Sequence, residues 1–319
     1  MKAVMYHYVQ EFNKKYPYLK FLDFENFQKQ LDYFGEMYGF TKKEEFLKSL
    51  DTGIPADGVI LTFDDSLKCH YRYVYPELKK RGLWGIFYIP TSIYTEAELL
   101  EVHKIHLLLS RVKPEDVLEQ LHLFIDEADL PDKKREEYRT KTYLNYKKSR
   151  LEKEVKRILN FYLDYSKRSK IFTKLFSHFD INQDASASDY YMTPAEFKEM
   201  HCNGMMIGSH TVSHPVMSKL SGKEQETEIK ESFSFLENIV GELNPKTFCY
   251  PYGGFASFND ETERILEAES CRFAFNVEPR EIQSDDLINR KQALPRFDCN
   301  QFQFGECYDF NQHSKQLQV

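Results

Sequence analysis

The run Val59-Ile60-Leu61-Thr62-Phe63 ends directly on two neighbouring carboxylates, Asp64 and Asp65. An apolar, β-branched run of this length reads as a buried strand whose C-terminal end opens into a polar site. Adjacent aspartates at a strand end do no packing, and an uncompensated buried carboxylate is costly. They must therefore face a cleft, a cation or each other's proton. A second stretch, Gly208-Ser209-His210-Thr211-Val212-Ser213-His214-Pro215, follows the apolar Met205-Met206-Ile207. Two imidazoles four residues apart, joined by one carboxylate, can hold one divalent cation and leave a position for water. The spare aspartate is then placed to act on that water as a base.

Around these two stretches the chain alternates strand and helix patterns. Residues 2–8 read as a first strand. From the N-cap candidate Asp23, the residues Phe24, Phe27, Leu31 and Phe34 recur at helical spacing until Gly35 or Gly39. A helix over 71–81 ends at Gly82, and 84–90 is a strong buried strand, so the unit is βαβ and the sheet mostly parallel. After Tyr190 the same rhythm returns. Thr193-Pro194 opens a helix, Ser221 and Glu224 form a capping box, and strands are expected at 204–209, 247–250, 272–276 and 293–297. About seven parallel strands predict an α/β fold, a distorted (β/α) barrel with its site at the C-terminal strand ends. An open doubly wound sheet is the alternative. Between about 95 and 190 the composition shifts to Lys, Glu, Asp and Arg, glycine disappears, and apolar residues fall at helical spacing. The expected division is a barrel from 1–95 and 190–319 with a helical insertion at 96–189. The charge runs 132–137 and 147–156 read as solvated helix faces rather than a docking surface.

A net charge of −7 argues against a basic nucleic-acid surface. No run approaches a membrane span, and the first residues show no signal core, so cytoplasmic residence is the expectation. Six scattered cysteines without a Cys-x-x-Cys pair read as reduced thiols. The oligomeric state is left open.

Thr62-Phe63-Asp64-Asp65, His210-Thr211-Val212-Ser213-His214 and Tyr250-Pro251-Tyr252-Gly253 together resemble the first three motifs of the NodB-type polysaccharide deacetylases, carbohydrate esterase family four. The likeness covers roughly 1–95 and 190–300. It implies a hydrolase that removes N-acetyl groups from an amino sugar, in a glycan or a nucleotide- or lipid-linked precursor of a surface polysaccharide. It also implies that Asp65, His210 and His214 hold a divalent metal, zinc suiting the donor set best, with Asp64 as general base and the Tyr252 backbone N–H at the oxyanion. Tyr8, Tyr250 and Pro251 would line the sugar. Two departures stand out. Cys249 occupies the place of the arginine that orients the base in that family, and Arg296 is the residue expected to reach the same carboxylate. The family's late histidine acid is also missing, since the tail offers only His313. Met5-Tyr6-His7-Tyr8-Val9 resembles the opening motif of the circularly permuted branch, similar to poly-N-acetylglucosamine deacetylases, which makes His7 the acid and Asp298 its candidate partner. His70, and the pair His103 and His106, are weaker candidates for the cleft. The competing functions are hydrolysis of another small amide, or an inactive carbohydrate-binding homologue.

Overall fold

The computed structural model describes residues 1–14, 16, 19–126, 130, 132–142, 149–181 and 187–308. Its strands are β1 (Lys2–Tyr6), β2 (Val9–Gln10), β3 (Leu22–Asp23), β4 (Val59–Phe63), β5 (Ile86–Ile89), β6 (Met206–Ser209), β7 (Thr247–Cys249), β8 (Phe273–Phe275) and β9 (Phe297–Asp298). Seven of them form one sheet in the order β8-β7-β6-β5-β4-β1-β9, and every pairing in it is parallel. The result is a half-barrel of α/β type rather than an open doubly wound sheet, because residues 294–298 run from β8 to β1. Leu294 donates to the Ala274 carbonyl at 2.8 Å and accepts from Asn276 at 2.9 Å, while β9 pairs with β1 through Val4↔Phe297 and Met5↔Asp298.

The local signals act as their chemistry requires. The Asp23 side chain caps the helix Phe24–Met37 by accepting from Glu25 N, and Phe27, Leu31 and Phe34 form its buried stripe. Gly35 lies inside that helix, and the chain turns away at Gly39, whose φ is +70°. Capping boxes at Thr193 and Ser221 start the helices Pro194–Cys202 and Gly222–Val240. Residues 70–81 begin as a π-helical turn, His70–Val74, before the α-helix Tyr75–Arg81, a distinction that apolar spacing does not carry. The first strand stops at Tyr6 rather than Tyr8, because the chain leaves the main sheet and pairs Val9 with Leu22 in a small parallel sheet.

Side chains alternate across the strands. One face carries Ala3, Ile60, Ile86, Tyr88, Met206, Cys249, Phe273, Phe275 and Leu294. The other carries Val4, Tyr6, Leu61, Phe63, Phe87, Ile89, Ile207, Phe248 and Ala274. Continuing the first series past the strand ends reaches His7, Asp64, His210 and Arg296, so the pleat itself gathers the polar residues at the C-terminal ends. Gly208 keeps that face open. A Cβ there would stand 2.5 Å from Tyr88 Cε1 and 2.8 Å from Thr247 Cγ2. Gly208→Ala is expected to cost about 1–3 kcal/mol by overpacking. Urea unfolding checks this, and an unchanged midpoint would show that the Tyr88 ring yields freely.

A second compact unit comprises Asn13–Lys20 and Leu99–Ser186. It contains the helices Glu101–Leu109, Pro114–Phe124, Asp132–Lys141, Arg150–Arg157 and Tyr165–His178. Ile105, Leu108, Val117, Leu121, Val155, Leu159 and Leu175 are buried within it. The charge run 147–156 is not simply a solvated face. Glu152 and Lys156 are buried, and Glu152 pairs with Lys156 at 3.4 Å and with Lys20 at 3.0 Å, which offsets their desolvation. His103 is fully buried with its ring 5.8 Å from that of His106, a packing role. Among the described residues, no helix is long and apolar enough to cross a membrane.

Candidate metal centre and active site

Asp64 and Asp65 follow β4 directly, and successive residues of an extended chain would point to opposite faces. A left-handed turn prevents that here. Asp65 has φ +78° and Ser66 φ +53°, and aspartate is among the residues that tolerate this region. The turn is held from outside by Ser66 Oγ against Tyr94 Oη at 2.7 Å, and by Lys68, which donates to Glu196 at 2.7 and 2.8 Å.

Asp65 Oδ1 lies 3.4 Å from His210 Nε2 and 3.4 Å from His214 Nε2. All three side chains are buried, and their ligand atoms lie within 4.8 Å of one another. Donors about 2.1 Å from a tetrahedral zinc stand about 3.4 Å apart, so the spacing fits a shared cation. The tautomer fits as well. His210 Nδ1 donates to the Cys249 carbonyl at 2.7 Å, which leaves Nε2 as the nitrogen available to a cation. His214 reaches the site from a loop, not a helix. Thr211 and His214 both have positive φ, +70° and +56°, and His214 N donates to Thr211 Oγ1 at 2.9 Å.

Asp64 has a different partner. Arg296 donates to Oδ1 at 2.9 Å and to Oδ2 at 2.8 Å. The guanidinium also donates to Thr62 Oγ1 at 2.9 Å, to the Asn276 carbonyl at 3.1 Å and to Cys249 Sγ at 2.9 Å. Every one of its N–H groups thus has an acceptor. Its carbon lies 5.8 Å from the Tyr88 ring centroid and 5.7 Å from that of Phe275. Burial pushes the Asp64 carboxyl up, but Arg296, then His210, outweigh it and hold the group below the usual carboxylate range. Burial pushes the Cys249 thiol up, so it stays protonated, and Sγ lies 3.5 Å from Asp64 Oδ2. Asp64, His210 and Cys249 form a second close trio. The fixed guanidinium beside Asp64 and the Cys249 carbonyl on His210 Nδ1 make it an ion-pair network rather than a second cation site.

His7 lies across Asp65 from the imidazole pair. Its Nε2 is 3.8 Å from Asp65 Oδ2, and its side chain is 38% exposed, so solvent or a ligand reaches it. His70 does not line the cleft. It is fully buried, its Nε2 donates to the His7 carbonyl at 2.7 Å, and burial brings its pKa down to about 4, leaving it neutral beneath His7. The Asp298 carboxylate accepts from Asn300 N at 3.0 Å and caps the turn Cys299–Gln301, so the carboxylate beside His7 is Asp65 instead. His313 lies outside the described residues.

The expected sugar-facing residues separate. Tyr8 is half-buried, with its hydroxyl 2.7 Å from that of Tyr190. Tyr250 belongs to the core. It is 1% exposed, it stacks on Phe258 with centroids 3.8 Å apart, and its hydroxyl donates to the Gln292 carbonyl at 2.6 Å. Both ring and hydroxyl are therefore already used. Pro251 is buried within the turn that follows β7. Tyr252 sits at φ +63°, its ring edge-on to His214 at 5.0 Å. Gly253, at φ +66°, completes this turn where a Cβ would meet Val277 at 2.2 Å.

The roles of two groups around the site are not legible from the motifs, although Thr62 stands in the first of them. Thr62 Oγ1 accepts from Arg296 and donates to the Val4 carbonyl at 3.1 Å. Glu228, on the helix Gly222–Val240, accepts from the backbone N–H groups of Val212 and Ser213 at 2.8 and 2.9 Å. In sequence Glu228 is one acidic residue among several on a polar helix face.

The parallel-stranded half-barrel thus carries a two-histidine, one-carboxylate cluster and an Arg-paired carboxylate at its strand ends. Residues 163–273 match the polysaccharide deacetylase family model, the family that the motifs resemble. That span takes in His210, His214 and Cys249 and leaves out Asp64 and Asp65. Bacillus subtilis YxkH, whose name assigns it to the polysaccharide deacetylases, is 27% identical over 90 residues, 28% of this chain and 31% of that protein. The chain thus aligns with less than a third of that relative's length. Among solved structures, the Streptococcus pyogenes deacetylase PplD in complex with acetate superposes with a TM-score of 0.58 at 18% identity, covering 93% of this chain and 91% of that one. IcaB from Ammonifex degensii gives 0.53 at 17%, covering 93% and 90%. At these identities the likeness carries the fold.

Proposed function

We propose that this chain is a metal-dependent hydrolase that removes N-acetyl groups from an amino sugar, in a glycan or in a nucleotide- or lipid-linked precursor. The observation that carries this reading is the position of Asp65 Oδ1, 3.4 Å from both histidine Nε2 atoms. Asp65, His210 and His214 would hold the ion, and their mixed oxygen and nitrogen donors suit zinc. When bound, such an ion lowers the pKa of a water and polarises the amide carbonyl.

The remaining chemistry belongs to the chain. Asp64, kept ionised by Arg296, takes a proton from the attacking water. The Tyr252 N–H donates to the oxygen on which charge develops. His7, accessible and beside Asp65, gives a proton to the leaving amine as the C–N bond breaks and acetate departs. Tyr8, with Tyr190, contributes a polar aromatic wall to the sugar side.

Acetate release from N-acetylglucosamine oligomers tests this. Activity is expected to disappear after treatment with a chelator and to return with added zinc. Hydrolysis that survives complete removal of the metal would overturn the reading, and turnover confined to ring-opening of cyclic amides would replace the substrate.

A further inference from the structure

We infer that Glu228 is a positioning residue that fixes the loop between the two imidazoles and so sets their distance from Asp65, an inference that rests on the metal-site reading above. The loop is short and strained. Its ends are His210 and His214, and two of its residues, Thr211 and His214, lie in the left-handed region at φ +70° and +56°. For a β-branched threonine that region is disfavoured, and it persists only where the surroundings over-determine it. The surroundings here are two clamps. On one side Thr91 N and Ser92 N donate to the Thr211 and Val212 carbonyls at 3.2 and 2.9 Å. On the other, a single carboxylate takes up the loop's own donors. Glu228 Oε2 accepts from Val212 N at 2.8 Å and Ser213 N at 2.9 Å, and Oε1 accepts from Ser213 Oγ at 2.6 Å.

The same helix reaches the loop once more, one turn further on. Ser232 Oγ lies 2.5 Å from Ser209 Oγ, which in turn accepts from Thr211 N at 3.2 Å. The helix Gly222–Val240 is long and packed, with Ile229, Phe233 and Leu236 in the core. It is therefore a rigid ruler, and Glu228 is the side chain by which the ruler holds the loop. Outer residues that orient ligands in this way commonly account for 10–100-fold in metal affinity.

The bonding pattern distinguishes two substitutions. Glutamine can keep its carbonyl oxygen on the two backbone N–H groups and turn its amide nitrogen to the Ser213 hydroxyl, which can accept. Alanine loses all of these bonds, and the one from the Thr211 side chain with them. Zinc affinity is measured on the full chain by competition with a chromophoric chelator, alongside thermal melting of the metal-free protein. Glu228→Ala is expected to bind zinc roughly 10–100-fold more weakly and Glu228→Gln within about threefold of wild type. A purely structural Glu228 would lower the melting temperature and leave zinc affinity untouched, and that result would overturn the inference, as would equal loss in both variants. If Glu228→Ala cannot be purified, Glu228→Asp, whose carboxylate is withdrawn by one methylene, stands in for it. It is expected to be at least about tenfold weaker, and wild-type affinity in it would overturn the inference. A wild-type chain that binds no zinc would instead remove the metal-site reading, an outcome distinct from the others.

Discussion

Arg296→Ala is expected to lower the free energy of unfolding by about 3–5 kcal/mol, because it strands a buried carboxylate without its counter-charge. The guanidinium is fully buried and holds Asp64 through two parallel bonds. Removing it leaves Asp64, Thr62, Cys249 and the Asn276 carbonyl without their donor in one step. The catalytic consequence follows from the same contact. Without Arg296, the largest influence opposing burial at Asp64 is gone, so the carboxyl's pKa rises and the base is weakened. A fall in turnover of roughly 10²–10⁴-fold is expected, the range that general acid–base groups supply. Arg296→Lys separates the two effects, since an ammonium preserves the charge but cannot present the bidentate fork. It is expected to recover part of the stability and little of the rate. Urea unfolding and acetate-release kinetics on both variants check this, and a stable, fully active Arg296→Ala protein would refute the base assignment.

Asp64→Asn and Asp65→Asn are expected to fail in different ways although the two residues are neighbours. Asp65 Oδ1 faces both imidazoles, whereas both Asp64 oxygens face Arg296. Asp64→Asn therefore keeps the ion-binding set and loses the base, with turnover down roughly 10²–10⁴-fold. Asp65→Asn loses the anionic ligand and with it the ion. Metal content after gel filtration, measured beside kcat, tells them apart. Loss of zinc from Asp64→Asn with retention by Asp65→Asn would reverse the two roles.

What the sequence made legible were the residues whose types packing cannot explain. Paired aspartates and paired histidines after apolar strands announce a site; the pleat places Asp64 and His210, and left-handed turns bring in Asp65 and His214. Arg296 was readable as a candidate because Cys249 stands where the resembled family has its arginine, and Arg296 lies on the last expected strand. The reason it fits was not readable. The short Cys249 side chain leaves the guanidinium its place, with Sγ 2.9 Å from Nη2. Tyr250 misled for the opposite reason. A tyrosine at a strand end has both an apolar ring and a polar tip, and only the packed Phe258 and the Gln292 carbonyl show that both are occupied within the core. The small β2–β3 sheet and the π-helical turn at His70–Val74 lay beyond reach. One depends on two-residue strands meeting across a loop, the other on a hydrogen-bond register that leaves no periodic trace. Glu228 was hidden because its partners lie 15 and 16 residues away and no local pattern marks it.

A single ion shared by Asp65, His210 and His214 is the central expectation. Its most direct test is anomalous diffraction at the zinc absorption edge from crystals of the full chain grown with zinc. The predicted result is one peak about 2.0–2.2 Å from an Asp65 oxygen and from both histidine Nε2 atoms, with Arg296 still on Asp64. An ion seated on Cys249 and Asp64, or no peak among the three residues at saturating zinc, would contradict it.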